Sequence, residues 1–129
     1  MTVDTNNAEH IFFSSAARTA TVSGSDVVNP RWRGLIVTLD VTAVTATPSI
    51  TLTIEYKDPA SGKYEALLVG AAVTTTGTHT YIVYPGGDVT AAEDIVEVQG
   101  VPLPYRFRIT MTHADADSIT YSVGGCFLL

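Results

Sequence analysis

Positive charge is scarce in this chain. Seven Lys and Arg stand against 13 Asp and Glu in 129 residues, for a net charge of −6. No basic cluster exists that could neutralise a nucleic-acid backbone, and such binding depends on one. Arg31 and Arg33 flank Trp32, and Arg106 and Arg108 flank Phe107; both sets read as solvent-facing positions of alternating strands. Nucleic acid is therefore not an expected partner. Cysteine is limited to Cys126, within GGCFLL, so no internal disulfide can form. The reading for it is a buried structural thiol, compatible with folding in a cytosolic compartment. Apolar residues make up 46% of the chain, yet no run of them approaches the ~18 residues that cross a bilayer as a helix. No membrane partner is expected either. The opening MTVDTNNAEH has neither the basic nor the apolar region of a secretory signal.

Residues that carry chemistry are equally sparse. His10, His79 and His113 lie far apart without ligand spacing, and Cys126 is the sole thiolate, too few donors for the tetrahedral set of a structural zinc. Asp115 and Asp117 in HADADS, with Asp88, Glu93 or Asp94 from another loop, could chelate calcium. An EF-hand-like loop needs further oxygens at fixed offsets and a closing glutamate, and these are absent. Capping of local amides accounts for aspartates in a turn. There is no GxSxG elbow, no Cys–His signature and no supported carboxylate pair. The expectation is a protein that is not an enzyme and takes no metal or cofactor.

What the chain has in abundance is strand chemistry. It contains 19 threonines, which with Val and Ile favour a pleated, half-buried backbone. GLIVTLDVT sets Leu35, Val37, Leu39 and Val41 on one face; SITLTIEYK does so with Ile50, Leu52, Ile54 and Tyr56. YRFRITMTH aligns Tyr105, Phe107, Ile109 and Met111, and ITYSV aligns Ile119, Tyr121 and Val123. Period two repeated this often means half-buried antiparallel strands. Turn residues separate them at SGSD, ATPS, DPASG, PGGD and HADADS. The predicted strands span roughly 10–22, 32–43, 49–57, 63–69, 78–84, 95–99, 104–113 and 118–127. Stretch 85–103 is the least regular, and TAAEDIVEV within it suits one helical turn as well. The expected fold is an all-β, single-domain antiparallel β-sandwich, jelly-roll-like, of about eight strands. Residues 10–129 form the domain and the polar residues 1–9 a short N-terminal arm.

One fragment invites a different reading. SGK followed by EALL looks like a phosphate-binding loop opening a helix. A loop of that kind needs glycine, four residues, then Gly-Lys-Ser/Thr, so that amides wrap phosphate and a hydroxyl ligates magnesium. Here the first glycine position holds Lys57, the hydroxyl position holds Tyr64, and Pro59 removes an amide. As a turn the same residues fit well. Asp58 accepts from nearby amides, Pro59 pre-sets φ, and Gly62 takes the left-handed conformation. A hairpin between strands 49–57 and 63–69 is predicted.

Adjacent Phe12 and Phe13 point to opposite faces of a regular strand, so one of them needs cover from outside its own core. Phe12, Phe13, Arg31, Trp32 and the Phe127 of CFLL are accordingly the candidate subunit-interface residues.

IEYKDPASGKYEALL, then GTHTYIVYPGG, then LPYRFRITMTHADADSITYSVG resemble a group of small structural proteins of tailed bacteriophages. The group is marked by a KDPASGKY hairpin, a GT-x-x-Y-x-VYPG strand and a THxDADSITYSxG hairpin. The likeness runs from about residue 33 to residue 125 and leaves out the N-terminal arm and CFLL. It implies a small β-domain made in the host cytoplasm and built into the virion. The motifs are turns and strands, so they imply no catalysis. The leading expectation is a capsid decoration (cement) protein, a homotrimer that binds the major capsid protein at junctions between its subunits. A tail-tube, tail-terminator or head–tail joining subunit is the alternative within the virion. A surface glycan-binding module is the alternative from another class, with Tyr81, Tyr84 and Trp32 as its candidate sugar platforms.

Overall fold

The structure, a computed structural model, describes residues 7–87 and 96–129. Ten strands appear in it: β1 (Asn7–Arg18), β2 (Val22–Ser23), β3 (Val27–Val28), β4 (Gly34–Val44), β5 (Ile50–Lys57), β6 (Tyr64–Val69), β7 (Gly77–Val83), β8 (Val96–Gln99), β9 (Arg106–His113) and β10 (Ile119–Leu128). They form two sheets, one ordered β1-β10-β4-β7-β8 and the other β2-β9-β5-β6, with β3 also on β9. The facing orders 1-10-4-7 and 2-9-5-6 are the winding of a jelly roll. Two short additions account for the count above eight: β3, and β8, which joins β7 in the parallel direction.

The expected alternation builds the core. Leu35, Val37, Leu39 and Val41 of β4 face Ile50, Leu52 and Ile54 of β5 across the layers, and all are buried. Phe107, Ile109, Met111, Ile119, Tyr121 and Val123 complete it. Each such side chain, fully buried, stabilises the fold by about 1.5–3 kcal/mol before chain entropy is subtracted. Two residues expected inside are not: Tyr56 is 37% exposed and Tyr105 62% exposed. Tyr56 pairs with Phe107 near the end of β5, after a shift in its pairing with β6 between Ile54 and Glu55, and Tyr105 precedes the first residue of β9.

The N-terminal third departs furthest from the pattern. The strand expected over 10–22 ends at Arg18, and Val22–Ser23 and Val27–Val28 cross to the other sheet against β9. Two-residue strands leave no alternation to read. Asn7–Glu9, placed by sequence in the arm, pair with Cys126–Leu128 as the first residues of β1; residues 1–6 lie outside the described residues. Arg18 closes β1 by donating to the carbonyls of Ser14 at 2.8 Å and Tyr121 at 2.9 Å. The helical turn considered over TAAEDIVEV falls largely within residues 88–95, also outside the described residues; Val96 and Glu97 belong to β8.

Between Ile11 and Phe13 the pairing of β1 with β10 slips, because Ile11 lies opposite Gly124 and Phe13 opposite Val123. Phe12 is the extra residue of a bulge. That bulge turns both phenylalanines inward: Phe13 is buried, and Phe12 packs against the core with its ring 6.3 Å from that of Phe107. Gly125 makes the room. A Cβ there would sit 2.5 Å from Cε2 of Phe12 and 3.1 Å from Cδ1 of Leu35.

Candidate functional site

The DPASGK tip is a capped hairpin turn. Asp58 accepts from the amides of Ala60 at 3.2 Å and Ser61 at 3.1 Å, and from the Ser61 hydroxyl at 2.5 Å. These bonds hold its carboxyl below the usual carboxylate range. The Gly62 amide donates to the Asp58 carbonyl, and Gly62 adopts φ 74°, the left-handed conformation the turn requires. Amides that a phosphate would need are thus spent inside the turn.

The polar residues weighed for chemistry are dispersed. Asp117 accepts from the Thr47 amide at 3.1 Å, and Asp115 from the Asp117 amide at 3.0 Å. Both are turn caps; Asp88, Glu93 and Asp94 lie outside the described residues. His113 bonds the Tyr121 hydroxyl at 2.9 Å, and the ring of His10 stands edge-on to Phe12. Burial, and then the nearby Arg18 charge, hold the His113 pKa below its ordinary value. Burial raises that of Tyr121, against the pull of Arg18. Among the described residues no three His, Cys, Asp or Glu gather around a common point.

The two outer faces of the sandwich differ in kind, and this locates the candidate site. On the second sheet, polar groups satisfy one another. Glu55 accepts from Arg108 Nε at 3.0 Å and from the Thr110 hydroxyl, which also bonds Ser23 at 2.9 Å. The Arg108 guanidinium lies 3.4 Å from the Tyr64 ring centroid, and the Tyr64 hydroxyl donates to Asp26 at 2.5 Å. Lys57 completes the chain with Asp26 at 3.3 Å.

The outer face of the first sheet carries two cross-strand rows of another character. One runs Ile11, Gly124, Thr38, Thr80, Val96; the next runs Glu9, Cys126, Ile36, Ile82, Val98. Of these ten only Glu9, on the edge strand, is charged. No other described strand lies over this face. Ile11 is 73% exposed at its margin, and among the described residues β1 pairs on one side only, so a strand edge is open beside the apolar band. Cys126, expected as a buried thiol, is half-buried on this outward row because Phe127 takes the inward position.

Of the candidate interface residues, Phe12, Phe13 and Phe127 are committed to the interior, which overturns the argument that one of the adjacent pair faces out. Trp32 stacks on Phe127 at 6.1 Å, and Arg31 lies 4.6 Å over the Trp32 ring. The structure therefore gathers Arg31, Trp32, Phe127 and, through Phe107, Phe12 into one cluster; Phe13 sits apart beneath Arg18. Ile11 is a residue that sequence reasoning did not single out. Its signal is the run Ile11-Phe12-Phe13, in which two inward rings force the third apolar residue out. The proposed sugar platforms also fail: Tyr81 is buried in the core, Tyr84 is half-buried and bonded to the Leu129 carbonyl at 2.9 Å, and Trp32 is capped by Arg31.

No protein-family model matches the chain, and no curated protein sequence matches it. Among solved structures, the SPBc2 prophage-derived protein YomS is similar, with a TM-score of 0.54 over 94% of this chain and 91% of that one. Their sequences are 16% identical, so the likeness is one of fold.

Proposed function

We propose that this chain is a non-enzymatic structural protein of a tailed-phage virion, a decoration protein that seats on the outside of the head as a homotrimer and clamps neighbouring major capsid subunits. The observation that carries the reading is the outer face of the first sheet, where the two rows through Ile11 and Cys126 hold a single charged residue, beside the open edge of β1. Such a face is removed from water most readily by another protein surface, and a free strand edge adds main-chain hydrogen bonds to the contact. A jelly roll is one of the architectures used by viral shell domains, although fold alone does not assign function. The prophage origin of YomS and the likeness of KDPASGKY, VYPG and THADADSITYSVG to phage structural proteins support the same setting. A net charge of −6 suits a surface turned away from packaged DNA.

Resisting the pressure of packaged DNA calls for contacts of roughly 1,000 Å² or more. The test compares particles with and without the protein. Loss of heat resistance in the depleted particles supports the cement role, while equal resistance refutes it. Mass per particle separates the head from the neck or tail, since decoration implies on the order of hundreds of copies and a symmetric ring only about a dozen.

A further inference from the structure

A cleft of about 480 Å³ opens between the DPASGK turn and the segment entering β9. Its lining includes Lys57, Pro59, Gly62, Pro104, Tyr105 and Arg106. We propose that this cleft binds a saccharide, with a sugar ring stacked on Tyr105 and its hydroxyls or carboxylate held by Arg106.

Both walls are built before any ligand arrives. On one side the Asp58 carboxylate is consumed by Ala60 and Ser61, which rigidifies the turn. On the other, buried Asn29 donates its side-chain amide to the Trp32 carbonyl at 2.7 Å and to the Leu103 and Pro104 carbonyls at 3.3 and 3.4 Å. The Asn29 backbone amide adds a 2.6 Å bond to the Tyr105 carbonyl. Preorganised walls lower the ordering cost of binding.

The functional groups between those walls match a sugar. Tyr105 is 62% exposed and stands with two proline rings, which supplies flat apolar surface for C–H faces. Lys57 is held by Asp26. Arg106 acts on Asp26 through its charge but forms no close ion pair with it, so its planar fork of donors is available to paired hydroxyls or a carboxylate. The volume lies within the ~300–1,000 Å³ usual for small-molecule sites. This inference does not rest on the decoration role, because its test uses the isolated chain.

The test is titration of the ¹⁵N-labelled protein with lactose, an N-acetylglucosamine disaccharide, glucuronic acid and sialyllactose, followed by amide shifts. A saturable shift confined to Gly62, Tyr105, Arg106 and their neighbours, with any of these sugars, is the expected result. Tyr105→Ala and Arg106→Gln each weaken it by about tenfold or more, and Ile11→Ser, on the opposite face, leaves it unchanged. Both cleft side chains point away from the core, so the variants keep the native spectrum. The proposal is overturned by absence of a saturable shift with every sugar, by shifts elsewhere, or by a proline-rich peptide that binds the cleft where no sugar does.

Discussion

Replacing Gly125 with alanine sets a methyl carbon 2.5 Å from Cε2 of Phe12, well inside contact distance. Leu35, 3.1 Å away, is fully buried and cannot yield, so the Phe12 ring must. Overpacking of this kind costs about 1–3 kcal/mol. Phe12→Ala alone removes a partly buried ring and costs about 2–3 kcal/mol, somewhat below the range for a fully buried phenylalanine. In the double variant the clash with the ring disappears and only the 3.1 Å contact with Leu35 remains, offset in part by the ~0.5–1 kcal/mol by which alanine exceeds glycine within a strand. The two changes are therefore coupled: Gly125→Ala destabilises the parent by more than it destabilises the Phe12→Ala background. Urea unfolding of all four proteins measures this, with equal slopes confirming that midpoints report stability. Additivity within about 0.5 kcal/mol would show that Phe12 does not cover Gly125, and the inward bulge would be wrong.

Ile11→Ser changes stability by no more than about 0.5 kcal/mol, since the side chain is mostly solvated; in the intact particle the same change weakens attachment, read as protein released on gentle heating. Gly62→Ala costs about 1–2 kcal/mol although no atom lies near its Cβ position, because the penalty is that of a left-handed alanine at φ 74°; Gly62→Asn recovers part of it by unfolding midpoint. Asn29→Ala leaves the Trp32 amide and the Leu103 carbonyl short of partners in a buried site and costs about 2–3 kcal/mol, seen as a drop in melting temperature. His113 has a depressed pKa when folded, so the unfolded chain takes up a proton first as pH falls below about 6.5. Stability is lost from there down to the folded pKa. His113→Gln removes that component of the slope, and an unaltered pH profile would show that the histidine does not contribute.

Where the side-chain period ran unbroken, burial followed from the order of residues alone. Leu35 to Val41, Ile50 to Ile54 and Phe107 to Met111 each went where alternation put them, because a strand has only two faces and one meets water. The Asp58 turn was equally legible, its Pro, Asp and Gly each having a local conformational reason to be there. The jelly-roll winding rested on strand count and turn spacing, and the strands took that order. Sequence failed at Phe12, where a bulge adds a residue to one strand and breaks the period; the room for its ring comes from a glycine more than a hundred positions along the chain. It failed again at Tyr56 and Tyr105, near the end of β5 and just before β9, where the regular burial of the strands stops. Local order thus determined the strands, the turns and most of the core. Which residues gather on a surface was decided by the tertiary structure, because the rows that hold Ile11, Ile36, Ile82 and Val98, and the cleft between Tyr105 and the DPASGK turn, join residues that meet only through the folding of the strands.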